Sequence, residues 1–103
     1  MYRTYNHVDH ALLLQSTKAL AKFVREHEGL QSPVLSQILS LLETDDFEGA
    51  VKMFKKIHFG AYGFTDWFPP VVFPNEDPDY VQAVFESLVE RWARLMRTAA
   101  GIK

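Results

Sequence analysis

Three prolines limit this chain more than any other feature. Pro69, Pro70 and Pro74 lie within the stretch from Gly60 to Glu76. Proline has no backbone N–H, its ring clashes with the carbonyl four residues back, and it pushes its predecessor toward extended geometry. No regular helix can cross this stretch. On either side the sequence reads as helix. The expectation is a set of helices interrupted by one long extended loop, and a loop of that length between packed helices generally has a purpose.

The same stretch is rich in rings. Phe59, Tyr62, Phe64, Trp67, Phe68 and Phe73 fall in it or at its edge, and Asp66 is the only charge among them. Gly60 and Gly63 frame Ala61-Tyr62, and at least one of them is expected to take a positive φ. A phosphate cradle would need a helix N-terminus or a lysine in register after the glycines, and Phe64-Thr65-Asp66-Trp67 follows instead. Two uses are open to the aromatic strip. It can fold back as a lid on the helices, or part of it can stay exposed and bind a partner. Trp67 is expected to lean to the core, and Tyr62 and Phe64 to the surface.

Periodicity supplies four helices. The first is expected over Val8–Glu28, with Leu13, Leu20, Phe23 and Val24 on one face, Leu12 and Ala19 beside them, and Gly29 as a left-handed stop. The second opens at Ser32-Pro33, where serine caps and proline fits the first turn, and carries Leu35, Ile38, Leu39 and Leu42. The third starts within Thr44–Glu48, with Asp45 and Glu48 spaced as a capping box. Its inward stripe is Phe47, Ala50, Val51, Phe54, Ile57 and His58, and it ends near Gly60. The fourth is capped by Asp77 before Pro78. It runs through Val81, Val84, Phe85, Leu88, Val89, Trp92, Leu95 and Met96 to Gly101. Short links between such segments predict an all-α fold: one domain over 1–103, a four-helix antiparallel bundle with the aromatic, proline-rich loop before the last helix.

Composition narrows the function classes. Of 103 residues, 48% are hydrophobic and 23% charged, as in an ordinary globular domain. The net charge of −2 implies no strong field, so nucleic acid is not an expected partner. No cysteine is present, which excludes disulfides, thiolate metal sites and cysteine nucleophiles. Neither a targeting segment nor a bilayer-spanning run is read, so the cytoplasm is the expected compartment and no membrane partner is expected.

No complete catalytic motif is visible, and the chain is not expected to be an enzyme or to need a cofactor. His58 and Asp66 flank the loop and could pair, but no nucleophile or oxyanion site accompanies them. His58 reads better as a partly buried hydrogen-bonding residue. His7 and His10 would share a face if the first helix began early, yet no further ligand stands near, so no metal is expected and frayed solvated residues are the simpler reading. Glu43, Asp45, Asp46 and Glu48 read as helix caps or as an acidic patch for a basic protein. Lys52, Lys55 and Lys56 with Arg91, Arg94 and Arg97 could form a basic face, but no aromatics interleave them for base stacking.

From Leu41 to about Phe68 the chain resembles a small bacterial family of unknown function. In that family a helical pair leads to a Gly-x-x-Gly-Phe/Ser-x-Asp turn and a closing helix. Gly60, Gly63, Phe64 and Asp66 match the turn, and Thr65 stands where asparagine is usual. Some relatives of that family lie in toxin–immunity neighbourhoods. The resemblance implies no activity and no catalytic residues. Two functions are then expected to compete. One is a protein-binding domain, most concretely an immunity protein that occludes a cognate toxin. Tyr62, Phe64, Asp66, Trp67 and Phe68 would contact the toxin, with Asp45, Asp46 and Glu48 as steering charges. The other is a structural or regulatory module that forms a homodimer through the same strip.

Overall fold

The computed structural model describes residues 3–102. It is mostly helical, with α1 over His10–Glu26, α2 over Ser32–Glu43, α3 over Phe47–Lys55 and α4 over Pro78–Ala100. A two-stranded antiparallel hairpin, β1 (Thr4–Tyr5) and β2 (Val8–Asp9), precedes them. No described helix is long and apolar enough to cross a membrane.

The hairpin corrects two expectations at the N-terminus. Asn6 and His7 both take positive φ, 50° and 70°, which is the two-residue turn whose twist matches paired strands. So the first helix begins at His10, not Val8, and Asp9 caps it by accepting from the Ala11 N–H at 3.2 Å. His7 stays in the turn, so it shares no helix face with His10. The segment is not frayed. Tyr5 stacks on Phe47 at 3.8 Å, its hydroxyl meets His10 Nδ1 at 3.2 Å, and the Asn6 amide donates to the Ala99 carbonyl at 2.7 Å. These contacts tie the hairpin to the start of α3 and the end of α4.

The core sits where α1 packs against α2 and α4, and α2 against α3. Leu13, Leu20 and Val24 of α1, Leu35, Ile38 and Leu42 of α2, and Val81, Phe85, Trp92 and Met96 of α4 are fully buried, as their periodicity predicts. Burial of each such side chain stabilises by about 1.5–3 kcal/mol. Ala19 faces solvent instead. At the centre the Trp92 indole N–H donates to Thr17 Oγ1 at 3.0 Å, and the Thr17 hydroxyl donates to the Leu13 carbonyl at 2.8 Å. A buried indole thus finds a partner without disturbing either helix.

Helix ends depart from the sequence reading in one recurrent way. After α1 the left-handed residue is Glu28, at φ 59°, not Gly29. The Glu28 and Gly29 amides turn back to the carbonyls of Arg25 and Val24, closing the helix. Gly29 is needed for room: a Cβ there would come within 2.6 Å of Val24 and 3.0 Å of Trp67. α2 ends the same way with Asp45 at φ 63°. Asp45 therefore terminates α2 and is no capping-box residue. Asp46 caps α3, accepting from Gly49 N at 2.9 Å. Gln31, without a side-chain cap bond, precedes α2, and Ser32 is already helical. α3 stops at Lys55, short of Gly60, so His58 leaves the stripe and is exposed.

Candidate functional site

The long loop between α3 and α4 divides at Trp67. Its first half turns inward. The Phe64 amide donates to the His58 carbonyl at 2.7 Å, and the Phe64 ring stacks on Trp92 at 5.8 Å between centroids. Phe64 is only 7% exposed, which corrects the expectation that it faces solvent. The turn that buries it depends on two different glycine properties. Gly60 has φ 112°, as expected of one glycine here. Gly63 does not; a Cβ on it would lie 2.3 Å from the His58 carbonyl oxygen. Asp66 is part of the same turn, its Oδ2 accepting from the Tyr62 N–H at 2.7 Å.

His58 Nε2 lies 3.2 Å from the Ala61 carbonyl oxygen. His58 and Asp66 thus each bond to loop backbone, which is a folding role and not an acid–base pair. Among the described residues no cluster of three or more histidines or acids could hold a metal ion.

Where this turn meets the helices, an open groove of about 740 Å³ forms. Leu30, Gln31 and Val34 wall it from the start of α2, and Met53, Lys56 and Ile57 from the end of α3. Phe64 and Trp67 contribute from the loop. Trp67 is half-buried, with its ring edge-on to Phe85 at 4.9 Å. It serves both the core and the groove. Two rim residues are almost wholly bare: Leu30 at 95% and Tyr62 at 97% exposure. The Gln31 side chain donates to the Phe64 carbonyl at 2.9 Å and so joins α2 to the loop.

The second half of the loop runs outward. Phe68 is 80% exposed, and Val71, Val72 and Phe73 are also exposed, while Pro69 is buried among them. One carboxylate holds this half down. Glu76 Oε1 accepts from the amides of Val72 and Phe73 at 3.1 and 3.0 Å, and Oε2 lies 2.9 Å from His27 Nε2. His27 is buried, stacked on Phe23, and its Nδ1 meets the Phe23 carbonyl at 2.8 Å. Both ring nitrogens therefore lie against oxygen atoms. Burial alone would raise the Glu76 carboxyl. The Phe73 and Val72 amides, with His27, more than offset that and hold it below the ordinary carboxylate range.

The residues singled out from sequence do not form one surface. Tyr62, Asp66 and Trp67 line the groove, Phe64 is its floor, and Phe68 lies on the outward strip. Asp45, Asp46 and Glu48 lie elsewhere, at the far end of α2 and the start of α3. The twelve residues of α2 separate that end from the groove by about 18 Å. Asp45 is further engaged by Arg3 at 2.6 Å, and Asp46 by its cap. The charges that line the groove are Lys56 and Asp66. Of the α4 arginines, Arg97 lies over the Phe59 ring at 5.2 Å.

Sequence reasoning missed Leu30, Val34, Met53, His27 and Glu76. Leu30 had a signal, a lone large aliphatic between Gly29 and the polar Gln31-Ser32. Glu76 and His27 had none, being 49 residues apart. No protein-family model, curated protein or solved structure matches the chain.

Proposed function

We propose that this chain is a protein-binding domain whose working surface is the groove between the start of α2, the end of α3 and the aromatic turn. One observation carries the reading: bare Leu30 and Tyr62 stand on the rim of an apolar, open groove whose floor is rigidly packed. Scattered exposed hydrophobics are normal on any protein. Two of them flanking a concave apolar surface suit an interface, where large side chains anchor a partner. The floor supports the same reading. Phe64 is held by Trp92 and the His58 carbonyl, so little ordering is left to be done on docking.

In its most specific form the domain is a cytosolic immunity protein that occludes a cognate toxin. Tyr62 and Trp67 are the anchors in that reading, and no catalytic group is needed. The distant acids Asp45, Asp46 and Glu48 contribute at most long-range steering. The helices form an antiparallel bundle in this reading. The short links from Glu26 to Ser32 and from Glu43 to Phe47 favour that arrangement.

The test is calorimetric titration with the product of the adjacent gene, using wild type, Leu30→Ala and Tyr62→Ala. Both variants should stay folded and lose about thirtyfold in affinity, equivalent to about 2 kcal/mol. Wild-type affinity in both variants would overturn the groove as the working surface.

A further inference from the structure

The chain carries a second exposed apolar surface, and its chemistry complements the groove. Phe68, Val71 and Val72 form an outward strip stiffened by Pro69, Pro70 and Pro74, and Phe73 anchors its far end with its ring edge-on to His27 at 5.7 Å. The Glu76 carboxylate fixes the amides of Val72 and Phe73, so the strip holds its shape before anything docks on it. Acids follow it directly: Asp77, whose Oδ1 caps α4 by accepting from the Tyr80 N–H at 2.8 Å, and exposed Asp79 in the first turn. The groove has the opposite sign on its α3 wall. Lys56 lines it, and Lys52 lies one helical turn before on the same side. Among the described residues neither lysine is in an ion pair. The groove's own acid, Asp66, is engaged by the Tyr62 amide.

We propose that the groove is occupied by the Phe68–Phe73 strip of a second copy of this chain, with Asp79 of that copy facing Lys52 and Lys56. This names the partner for the groove and rests on the reading of the groove as a binding surface. The strip cannot fill the groove of its own chain. It leaves the groove wall at Trp67, which is packed against Phe85, and its far end is tied to α1 through Glu76 and His27. The occupant must come from another molecule. Because each copy carries both halves, the contact either closes as a reciprocal pair or continues head to tail.

Sedimentation equilibrium of the full chain, from micromolar to millimolar concentration, tests this. The average mass should rise above 11.9 kDa with concentration, and raised salt should weaken the association. Phe68→Asp removes the strip and Lys56→Glu reverses the groove. Both positions are exposed, so both variants should keep the wild-type circular dichroism spectrum. Each alone should need at least about tenfold higher concentration to associate. An equimolar mixture should associate more tightly than either, since each variant retains the half the other lacks. A wild type that stays monomeric at millimolar concentration overturns the proposal. If Tyr62→Ala still weakens binding of another protein in that case, the groove reading stands without it. Self-association indifferent to Phe68→Asp, or a mixture no tighter than its parts, overturns the strip as occupant. Self-association indifferent to Lys56→Glu and Tyr62→Ala overturns the groove as the surface that receives the strip, while the groove reading itself falls only if Tyr62→Ala also leaves binding of another protein unchanged.

Discussion

Phe64 and Phe68 are four residues apart in one loop and have opposite fates. Phe64 is buried against Trp92 and Phe59, and Phe68 stands in solvent. Ring chemistry cannot separate them, since they are the same residue. The difference lies in what each half of the loop is fastened to. The inner half is fastened by backbone, with the His58 carbonyl accepting the Phe64 amide at a position only Gly63 leaves open. The outer half is fastened by a side chain, the Glu76 carboxylate, which bonds the strip's own amides; the Phe73 ring lies edge-on to His27 at 5.7 Å, while the Phe68 ring is left in solvent. An aromatic loop can thus be core and contact surface at once, and the tether decides which part is which.

Substitution should break the two halves unequally. Phe64→Ala removes a buried ring and leaves a cavity, so urea unfolding should show a loss of about 3–5 kcal/mol. Phe68→Ala should stay within about 0.5 kcal/mol of wild type by the same measurement. Equal losses would erase the distinction. The two glycines sharpen it further. Gly63→Ala drives a methyl into the His58 carbonyl and should cost about 2–3 kcal/mol, the upper part of the range for overpacking. Gly60→Ala meets no atom within 4 Å and suffers only from its positive φ, so about 1 kcal/mol is expected. A reversed order would mean that conformation, not space, governs the turn.

The contrast explains how far the sequence could be read. Helical periods were visible because burial repeats every three to four residues, and Trp92, Phe85 and Leu13 lie where that repeat places them. Helix ends were harder. Glycine is the cheapest left-handed residue, but Glu28 and Asp45 take that conformation because the closing hydrogen bonds and packing outweigh the preference. The groove was half readable. Tyr62 and Trp67 come from the conspicuous strip, whereas Leu30, Val34 and Met53 become neighbours only once α2 and α3 pack. Phe64 was misplaced because its burial depends on Trp92, 28 positions later in the sequence. Among the acids near Asp45, Asp46 caps α3, while Asp45, spaced as the capping residue, instead closes α2 in the left-handed conformation. What the sequence could not give was their distance from the loop.

A smaller effect concerns acid. The Glu76 carboxyl is held below its ordinary value of 4.5, so the folded state binds its proton less readily than the unfolded chain. The stability it contributes is fully present above about pH 4.5 and is lost as pH falls through the lowered folded value. Glu76→Gln should be less stable than wild type at neutral pH, and the gap should narrow below pH 4.5. Thermal melts across that window check the sign. A gap that widens on acidification would mean the carboxylate does not hold the outer strip.

Native-state amide hydrogen exchange tests the divided loop most directly, because it reads both tethers in one sample. The N–H of buried Phe64, bonded to the His58 carbonyl, should be released only by global unfolding. The Val72 and Phe73 N–H groups, bonded to one side-chain carboxylate, should open locally and exchange orders of magnitude faster. Equal protection of Phe64 and Phe73 would contradict the account, since both halves of the loop would then belong to one cooperative core.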